Sequence, residues 1–233
     1  MHSLTFLPGT LLSEESFSGV QSLLQPHVAS SRIEILGDCD TLGAELARLA
    51  REAQSPQVWI GHSLGGIAAI NLALAFPEKC AAIVCISSTA RADAAGNREK
   101  RVAQLRRAQV AGSNEPISIE MKPVFGLVAG SPLAESLAAQ AAIVGLRRFA
   151  HQTQYALTRP DRRGSHSAIT CPILAIVGTD DGICPPELSD EIATLSAVSR
   201  DVSSVRINGA GHFAPMTHAR EIATHILCFV THI

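Results

Sequence analysis

A short apolar run, a glycine-rich turn and a longer apolar run follow one another between residues 56 and 76. The sequence reads PQVWI, then GHSLGG, then IAAINLALAF, and Pro77 follows. The first run suits a strand that is covered on both faces, and the second suits a helix that is buried nearly all round. A parallel sheet with helices on both faces offers both environments side by side. The turn therefore predicts an α/β fold with this helix near its centre.

The rest of the chain repeats the alternation of strand and helix patterns. Apolar, β-branched runs predict strands at Leu4–Leu7, Arg32–Leu36, Gln57–Ile60, Ala81–Ile86, Ile173–Val177 and Ser204–Ile207. Helical spacing is found at 41–54, 64–76, 186–197 and 218–231. Most of the strand runs are continuously apolar, which is typical of parallel strands. We expect one α/β domain with a sheet of about six parallel strands and helices on both faces.

The alternation stops between Ser87 and Thr170, where no strand pattern is found. Helical spacing occurs instead around 97–111 and 133–157. We interpret residues 1–90 and 166–233 as the core of the fold and residues 91–165 as a helical lid inserted in it. The alternative is that these helices are long crossovers between strands of the sheet.

The turn at Gly61-His62-Ser63-Leu64-Gly65 has the pattern GxSxG, which is weak evidence when it stands alone. Here a strand pattern precedes the motif and a helix pattern follows it, as in a nucleophile elbow. So sharp a turn strains the serine backbone and leaves no room for side chains two residues away on either side. The hydroxyl of Ser63 then lies beside a helix N-terminus, which favours negative charge. We predict that Ser63 is a nucleophile; the alternative is a small-residue turn before a buried helix.

A nucleophilic serine requires a base and a group that orients the base. The strand at 173–177 is followed by two adjacent carboxylates, Asp180 and Asp181, of which only one can point toward the site. The strand at 204–207 is followed by a glycine-flanked loop that carries His212. Sites in open α/β sheets lie beyond the carboxyl ends of the strands, so we expect these groups to meet there.

The segments GHSLGG, GTDDGICPP and GAGHFAP resemble three landmark segments of the α/β-hydrolase superfamily, especially its small esterases and lactonases. The acid turn of that family reads G-x-x-D-x-x-x-P, and this resemblance favours Asp181 over Asp180 as the acid. The segment FLPGTL resembles the oxyanion loop of the family, with Pro8 in place of a frequent histidine. The resemblance implies an oxyanion hole made by the N–H groups of Thr10 and Leu64, with Leu11 as the alternative to Thr10.

Other residues offer competing or additional roles. Asp93 follows the strand at 81–86 and is a rival for the acid, because some relatives carry their acid there. His62 is expected to line the elbow or the core rather than take part in the reaction. A basic run predicts either a solvated helix face, which we favour, or a docking face for an acidic substrate or carrier protein; it comprises Arg98, Lys100, Arg101, Arg106 and Arg107. An acyl pocket or ordinary core is expected around Met121, Phe125, Leu127, Phe149 and Tyr155.

The resemblance implies a serine hydrolase that cleaves a small carboxylic ester, lactone or thioester through an acyl-enzyme, with no metal and no cofactor. One alternative is a lyase or C–C bond hydrolase that uses the same triad as a base. A second alternative is a small-molecule receptor on the same scaffold. Intact serine, acid and histidine positions argue against the receptor.

Composition limits the partners and the compartment. The formal net charge is −2, which gives no support for nucleic-acid binding because that requires a basic surface. No apolar stretch reaches the roughly 18 residues of a membrane span, and no signal peptide is recognisable. The six cysteines form no CxxC pair, and we interpret them as reduced thiols. We expect a cytoplasmic monomer or homodimer that acts on a small molecule.

Overall fold

Six parallel strands form one sheet in the part of the chain that the computed structural model describes, namely residues 1–114, 127–165, 168–195 and 204–233. The strands are β1 (Ser3–Leu7), β2 (Ser30–Ile33), β3 (Gln57–His62), β4 (Cys80–Ile86), β5 (Ile173–Gly178) and β6 (Ser204–Ile207). Their order in the sheet is β2-β1-β3-β4-β5-β6. Every neighbouring pair is parallel, so the predicted number and direction of the strands are confirmed.

Helices connect the strands and cover both faces of the sheet. They are α1 (Glu15–Leu24), α2 (Leu42–Glu52), α3 (Leu64–Ala75), α4 (Asn97–Ala111), α5 (Pro132–Thr158), α6 (Pro186–Ala193), α7 (Ala214–Thr217) and α8 (Ala219–Val230). Two short 3-10 helices lie at Gln25–His27 and Pro77–Lys79. The α/β architecture predicted from the alternation of patterns is confirmed.

The sheet separates two apolar cores. On one face, helices α2 and α3 pack against Leu7, Trp59 and Ile83. On the other face, α1 and α8 pack against strand residues such as Phe6 and Ile60. Side chains alternate between the faces of a strand, so a strand with apolar residues at consecutive positions contributes to both cores. This arrangement explains why the strand runs are continuously apolar.

The sequence-based prediction differs most from the structure at β2 and α1. Strand β2 spans Ser30–Ile33 rather than Arg32–Leu36. Leu36 lies beyond the end of the strand and is fully buried in the core. Its side chain is apolar because it packs in the core, and the sequence pattern could not distinguish this from membership of the strand. Helix α1 was not predicted, although Phe17, Val20 and Leu24 recur at helical spacing and are all buried.

Among the described residues between β4 and β5, the regular elements are the helices α4 and α5. The backbone of α5 is interrupted at Gly145, where φ is 73° and ψ is 170°. Met121, Phe125 and the predicted boundary at residue 166 lie outside the described residues, as does the end of the helix predicted at 186–197. The division into a core and a lid at 91–165 stays a prediction. No helix in the described ranges is both long and apolar enough to cross a membrane.

Candidate active site

Ser63 occupies a sharp turn between β3 and α3. Its backbone has φ 52° and ψ −112°, in the left-handed region that non-glycine residues rarely adopt. The N–H of Ser63 donates to the carbonyl of Ile86 at 2.9 Å, and the hydroxyl of Ser88 donates to the carbonyl of Ser63 at 2.8 Å. These hydrogen bonds, with the strand before and the helix after, hold the strained backbone in place.

Glycine is required on both sides of this turn for steric reasons. A Cβ atom added at Gly61 would lie 2.1 Å from the carbonyl oxygen of Gly65. A Cβ atom added at Gly65 would lie 1.8 Å from the carbonyl oxygen of Leu7 in β1. Both distances are far below van der Waals contact, so the glycines of the motif are set by the close approach of β3, α3 and β1.

Asp181 and His212 form a buried hydrogen-bonded pair. His212 Nδ1 lies 2.9 Å from Oδ2 and 3.1 Å from Oδ1 of Asp181. Asp181 Oδ1 also accepts hydrogen bonds from the N–H groups of Ile183 at 2.9 Å and Cys184 at 2.8 Å. Burial alone would raise the pKa of Asp181, but these donors and the charge of the imidazolium form lower it below its ordinary value. The carboxylate is therefore held in its ionised form.

The adjacent carboxylate, Asp180, is exposed to solvent. Its Oδ1 accepts a hydrogen bond from the hydroxyl of Thr179 at 3.0 Å, within the same turn. Asp181, in contrast, is 3% exposed and contacts the imidazole. Of the two carboxylates left open by the residues alone, Asp181 is the one placed beside His212.

The contact with Asp181 sets the orientation of the His212 ring. A carboxylate only accepts hydrogen bonds, so Nδ1 carries the proton in this contact and Nε2 is the acceptor of the neutral ring. His212 and Ser63 both line one cavity. An imidazole that is held at Nδ1 and has an acceptor at Nε2 can remove a proton from a hydroxyl group in that cavity.

His62, the residue before Ser63, is buried, lines the same cavity and supports the His212 loop. Its Nε2 donates a hydrogen bond to the carbonyl of His212 at 2.8 Å, and the two ring centroids are 5.0 Å apart. Burial, with a smaller contribution from His212, lowers the pKa of His62 to about 3. His62 therefore remains neutral, and it contacts the backbone rather than the acidic partner of His212.

The loop after β1 brings Thr10 and Leu11 to the cavity. The N–H of Leu11 donates to Oε1 of Gln152 at 3.0 Å, so it already has an acceptor. Leu64 is the first residue of α3, where an N–H has no carbonyl partner within the helix. Of the two candidates in the β1 loop, the hydrogen bond of Leu11 favours Thr10 as a donor toward bound ligand.

The cavity has a volume of about 370 Å³. Its lining combines segments that follow the strands with residues of α4, α5 and α6. Leu127 and Phe149, predicted for an acyl pocket, are among the lining residues. Tyr155 is not; it is fully buried, and its hydroxyl donates to the carbonyl of Cys39, with Oε2 of Glu45 as a second acceptor at 3.2 Å. Tyr155 is therefore a core residue that joins α5 to α2.

Asp93, the rival acid, forms an ionic cluster with two arginines. Its Oδ2 lies 2.8 Å from Nε of Arg101, and its Oδ1 lies 3.0 Å from Nη2 of Arg159. Both arginines line the cavity. Nothing in the sequence pattern singled out Arg159, and Arg101 was grouped with a basic run on a solvated face. Elsewhere in the described residues, no group of three histidine, cysteine or acidic side chains is arranged to hold a metal ion.

Gln152 is a buried residue that contacts the β1 loop and that sequence reasoning missed. It is fully buried, and its Nε2 donates to the carbonyl of Leu36 at 2.8 Å while its Oε1 accepts from Leu11. A polar residue at a buried position of α5 is the signal that could have found it, because buried amides are hydrogen-bonded. The sequence alone does not reveal which backbone groups are its partners.

Comparison with known proteins gives one family for nearly the whole chain. A model of the alpha/beta hydrolase family matches residues 6–225. The "Pimeloyl-[acyl-carrier protein] methyl ester esterase" of Serratia marcescens is 24% identical over 97% of this chain and 93% of its own length. The "Putative carbamate hydrolase RutD" of Escherichia coli is 26% identical over 68% of this chain, and the match spans only 57% of that protein.

Solved structures share the fold at low sequence identity. A thermophilic esterase from Thermogutta terrifontis superposes with a TM-score of 0.84 at 22% identity, covering 99% of this chain and 90% of that one. MenH from S. aureus has a TM-score of 0.80 at 18% identity, covering 99% of this chain and 94% of that one. The match of the family model to most of the chain, together with the common fold, shows that the chain belongs to the alpha/beta hydrolase family.

Proposed function

We propose that the protein is a serine hydrolase that cleaves a small carboxylic ester, lactone or thioester in the cavity beside Ser63. The observation that carries the proposal is the buried contact between Asp181 and His212, which lies at the same edge of the sheet as the strained turn of Ser63. A hydroxyl on an elbow, an oriented imidazole and an ionised acid are the parts that acyl transfer requires. The relatives named as esterases support the same reaction class.

In the proposed first step, Nε2 of His212 accepts the hydroxyl proton of Ser63 while Oγ forms a bond to the substrate carbonyl carbon. Asp181 holds the ring through Nδ1 and stabilises the imidazolium. The N–H groups of Thr10 and Leu64 stabilise the oxyanion that develops. The bond to the leaving group then breaks, and the imidazolium returns its proton to the leaving oxygen of an ester or lactone or the leaving sulfur of a thioester.

In the second step, water hydrolyses the acyl-enzyme. His212 removes a proton from water, whose oxygen attacks the acyl carbon and displaces Oγ of Ser63. The proton returns to Oγ, and the acid product leaves the cavity. In this proposal the segment 91–165 covers the cavity and decides which substrates enter it.

The test is Ser63→Ala with 4-nitrophenyl butyrate as the substrate. We expect kcat to fall by at least about 10⁴-fold, because no other hydroxyl replaces the nucleophile. A fluorophosphonate probe should add one covalent group to the wild type at Ser63 and none to the variant, as measured by peptide mass spectrometry. Retained turnover in the variant, or a probe adduct on another residue only, would contradict the assignment.

The same experiment separates the alternatives. A lyase or C–C bond hydrolase that uses the triad as a base would act on a carbon acid without a trapped acyl-enzyme. A receptor would bind its ligand stoichiometrically without turnover. Among the residues that the structure describes, no feature favours either of these over ester hydrolysis.

A further inference from the structure

Three arginine side chains line the cavity beside Ser63. Arg91, Arg101 and Arg159 line it, and they come from the β4–α4 connection, from α4 and from the end of α5. No carboxylate is among the lining residues in the described part of the chain. A pocket for an entirely apolar ester has no need of guanidinium groups in its wall, because desolvating a charge costs free energy.

The positive charge of Arg91, one of the three arginines, is balanced by the carboxylate of Glu191. Arg91 donates from Nε and Nη2 to the two carboxylate oxygens of Glu191, at 2.9 and 2.5 Å. Its side chain is 45% exposed. This one-to-one pair leaves no net charge, so Arg91 does not by itself indicate a ligand.

The other two arginines share a single carboxylate. Arg101 contacts Asp93 through Nε at 2.8 Å and Nη2 at 3.1 Å, and Arg159 contacts it through Nη2 at 3.0 Å. The side chains of Asp93 and Arg159 are only 5% and 9% exposed. Two guanidinium groups and one carboxylate make a partly buried cluster with one excess positive charge. An excess charge away from water is stabilised when a further anion completes the cluster.

The remaining hydrogen bonds in the cluster show where that anion could bind. Arg159 uses Nε and Nη1 on the carbonyl groups of Arg91 and Ala156. The hydrogen bonds of Arg101 use Nε and Nη2, and its Nη1 has no acceptor among the residues that the structure describes. The side chain of Arg101 is 30% exposed, so a ligand in the cavity can reach it. Burial and the neighbouring Arg101 also keep the pKa of Arg159 below its ordinary value despite Asp93.

We propose that the Asp93–Arg101–Arg159 cluster binds a carboxylate of the substrate, so that the preferred ester carries an anionic group in addition to the bond that is cleaved. This inference rests on the proposed function, because it assigns a substrate class to the same cavity. One excess positive charge matches a carboxylate monoanion better than a phosphate, which carries close to two charges at neutral pH. Guanidinium groups also match the planar geometry of a carboxylate.

The test uses two esters with the same six-carbon acyl chain. They are 4-nitrophenyl hexanoate, which ends in a methyl group, and mono-4-nitrophenyl adipate, which ends in a carboxylate. We expect kcat/KM of the wild type to be higher for the adipate ester. In Arg101→Gln that preference should fall about tenfold to a hundredfold, because a charged hydrogen bond to the substrate is lost. The loss for the adipate ester should exceed the loss for the hexanoate ester and should appear mainly in KM.

The variant is suited to the question because it leaves Asp93 and Arg159 as a one-to-one pair. It therefore strands no buried charge. Arg106→Gln is the matched control, since Arg106 lies on the exposed face of the same helix, outside the cavity lining, and loses the same charge. It should keep the wild-type preference. A wild type that prefers the neutral ester, or equal losses in the two variants, would overturn the anion site.

A binding measurement keeps this outcome separate from failure of the proposed function. Calorimetry on Ser63→Ala, which has no nucleophile, should show binding of monomethyl adipate and loss of that binding when Arg101→Gln is added. Inorganic phosphate should not compete at equal concentration, and competition by it would contradict the carboxylate assignment. If Ser63 is not labelled by fluorophosphonate, the proposed hydrolase fails, while the binding result still decides for or against the anion site.

Discussion

The two sides of the cavity are held in place by different kinds of contact. The sheet side comprises the segments that follow β1, β3, β5 and β6, and the helix side comprises α4 and α5. On the sheet side, main-chain hydrogen bonds fix the site: Ser63 donates to Ile86, and Asp180 donates to Ala210 at 2.9 Å, which joins the acid turn to the histidine loop. On the helix side, buried side chains make the connections.

Gln152 and Gln140 illustrate the helix side. Gln140 is fully buried in α5, and its Oε1 accepts from the N–H of Ser13 at 3.0 Å. Gln152 accepts from Leu11, so both amides of α5 bind the segment that follows β1. The difference suggests a division of roles. Main-chain hydrogen bonds, with the side chains of Ser88 and His62, hold the turn of Ser63 and the loop of His212. Buried side chains of α5 hold the loop that follows β1.

The largest effect that would test this division is expected on the sheet side, from Asp181→Asn. The amide cannot hold the imidazole in the tautomer that accepts at Nε2, and it does not stabilise the imidazolium. We expect kcat to fall by about 10³- to 10⁴-fold for every ester tested. Steady-state kinetics with two esters of different chain length provides the measurement.

Asp180→Asn is the matched control, because the two carboxylates are neighbours and only Asp181 is buried against His212. It should change kcat by less than about threefold, in line with a surface substitution. Equal losses in the two variants would show that the turn as a whole, and not the contact with His212, governs activity.

This difference between the sides also explains how much could be predicted from the sequence. The strands, the central helix and the turn of Ser63 follow from continuous apolar runs and from glycines that the close approach of backbone segments requires. The loops of Asp181 and His212 are placed at one edge because parallel strands end there. Six strands and an α/β fold were therefore predictable without coordinates.

The helix side was less predictable because its contacts connect residues far apart in sequence. Arg101 and Arg159 are 58 positions apart and meet only through Asp93. Periodicity indicates that a segment is helical, but it does not indicate which carbonyl a buried glutamine will bind. Helix α1 was missed for a simpler reason: its three buried apolar positions, which include Phe17, are spread over a short polar segment.

A smaller effect on stability and activity is expected from Gln152→Met, because Gln152 of α5 contacts the loop that follows β1. The substitution keeps the size of the side chain but removes its hydrogen bonds to Leu11 and Leu36, leaving the carbonyl of Leu36 and the half-buried N–H of Leu11 without these partners. We expect the free energy of unfolding to fall by about 2–4 kcal/mol, as measured by urea denaturation. Because the loop of Thr10 loses a support, kcat should also fall by about tenfold for all esters.

Gln154→Met is the control for this substitution, since Gln154 lies two residues along the same helix and is exposed. It should leave both stability and activity near wild-type values. If Gln152→Met altered the preference among substrates without altering kcat, the contact of Gln152 with the β1 loop would act in substrate selection. The assignment of that loop to the reaction would then be wrong.

The smallest effect concerns His62 and depends on pH. Burial holds its pKa at about 3 in the folded protein, whereas an unfolded histidine has a pKa of about 6.5. Between these values the unfolded chain binds a proton that the folded protein does not, so stability falls as the pH falls. Between pH 7 and pH 5 this contribution amounts to about 2 kcal/mol.

Urea denaturation at pH 7 and pH 5 should therefore show an acid-induced loss of stability that is smaller in His62→Gln than in the wild type. The glutamine keeps a donor for the carbonyl of His212 and does not titrate. His27→Gln, at an exposed position, should lose as much stability as the wild type over the same range. An equal loss in all three proteins would mean that His62 becomes charged without unfolding. The surroundings of His62 would then rearrange to accept a charge while the protein stays folded. The sheet side would be less rigid than its backbone contacts indicate.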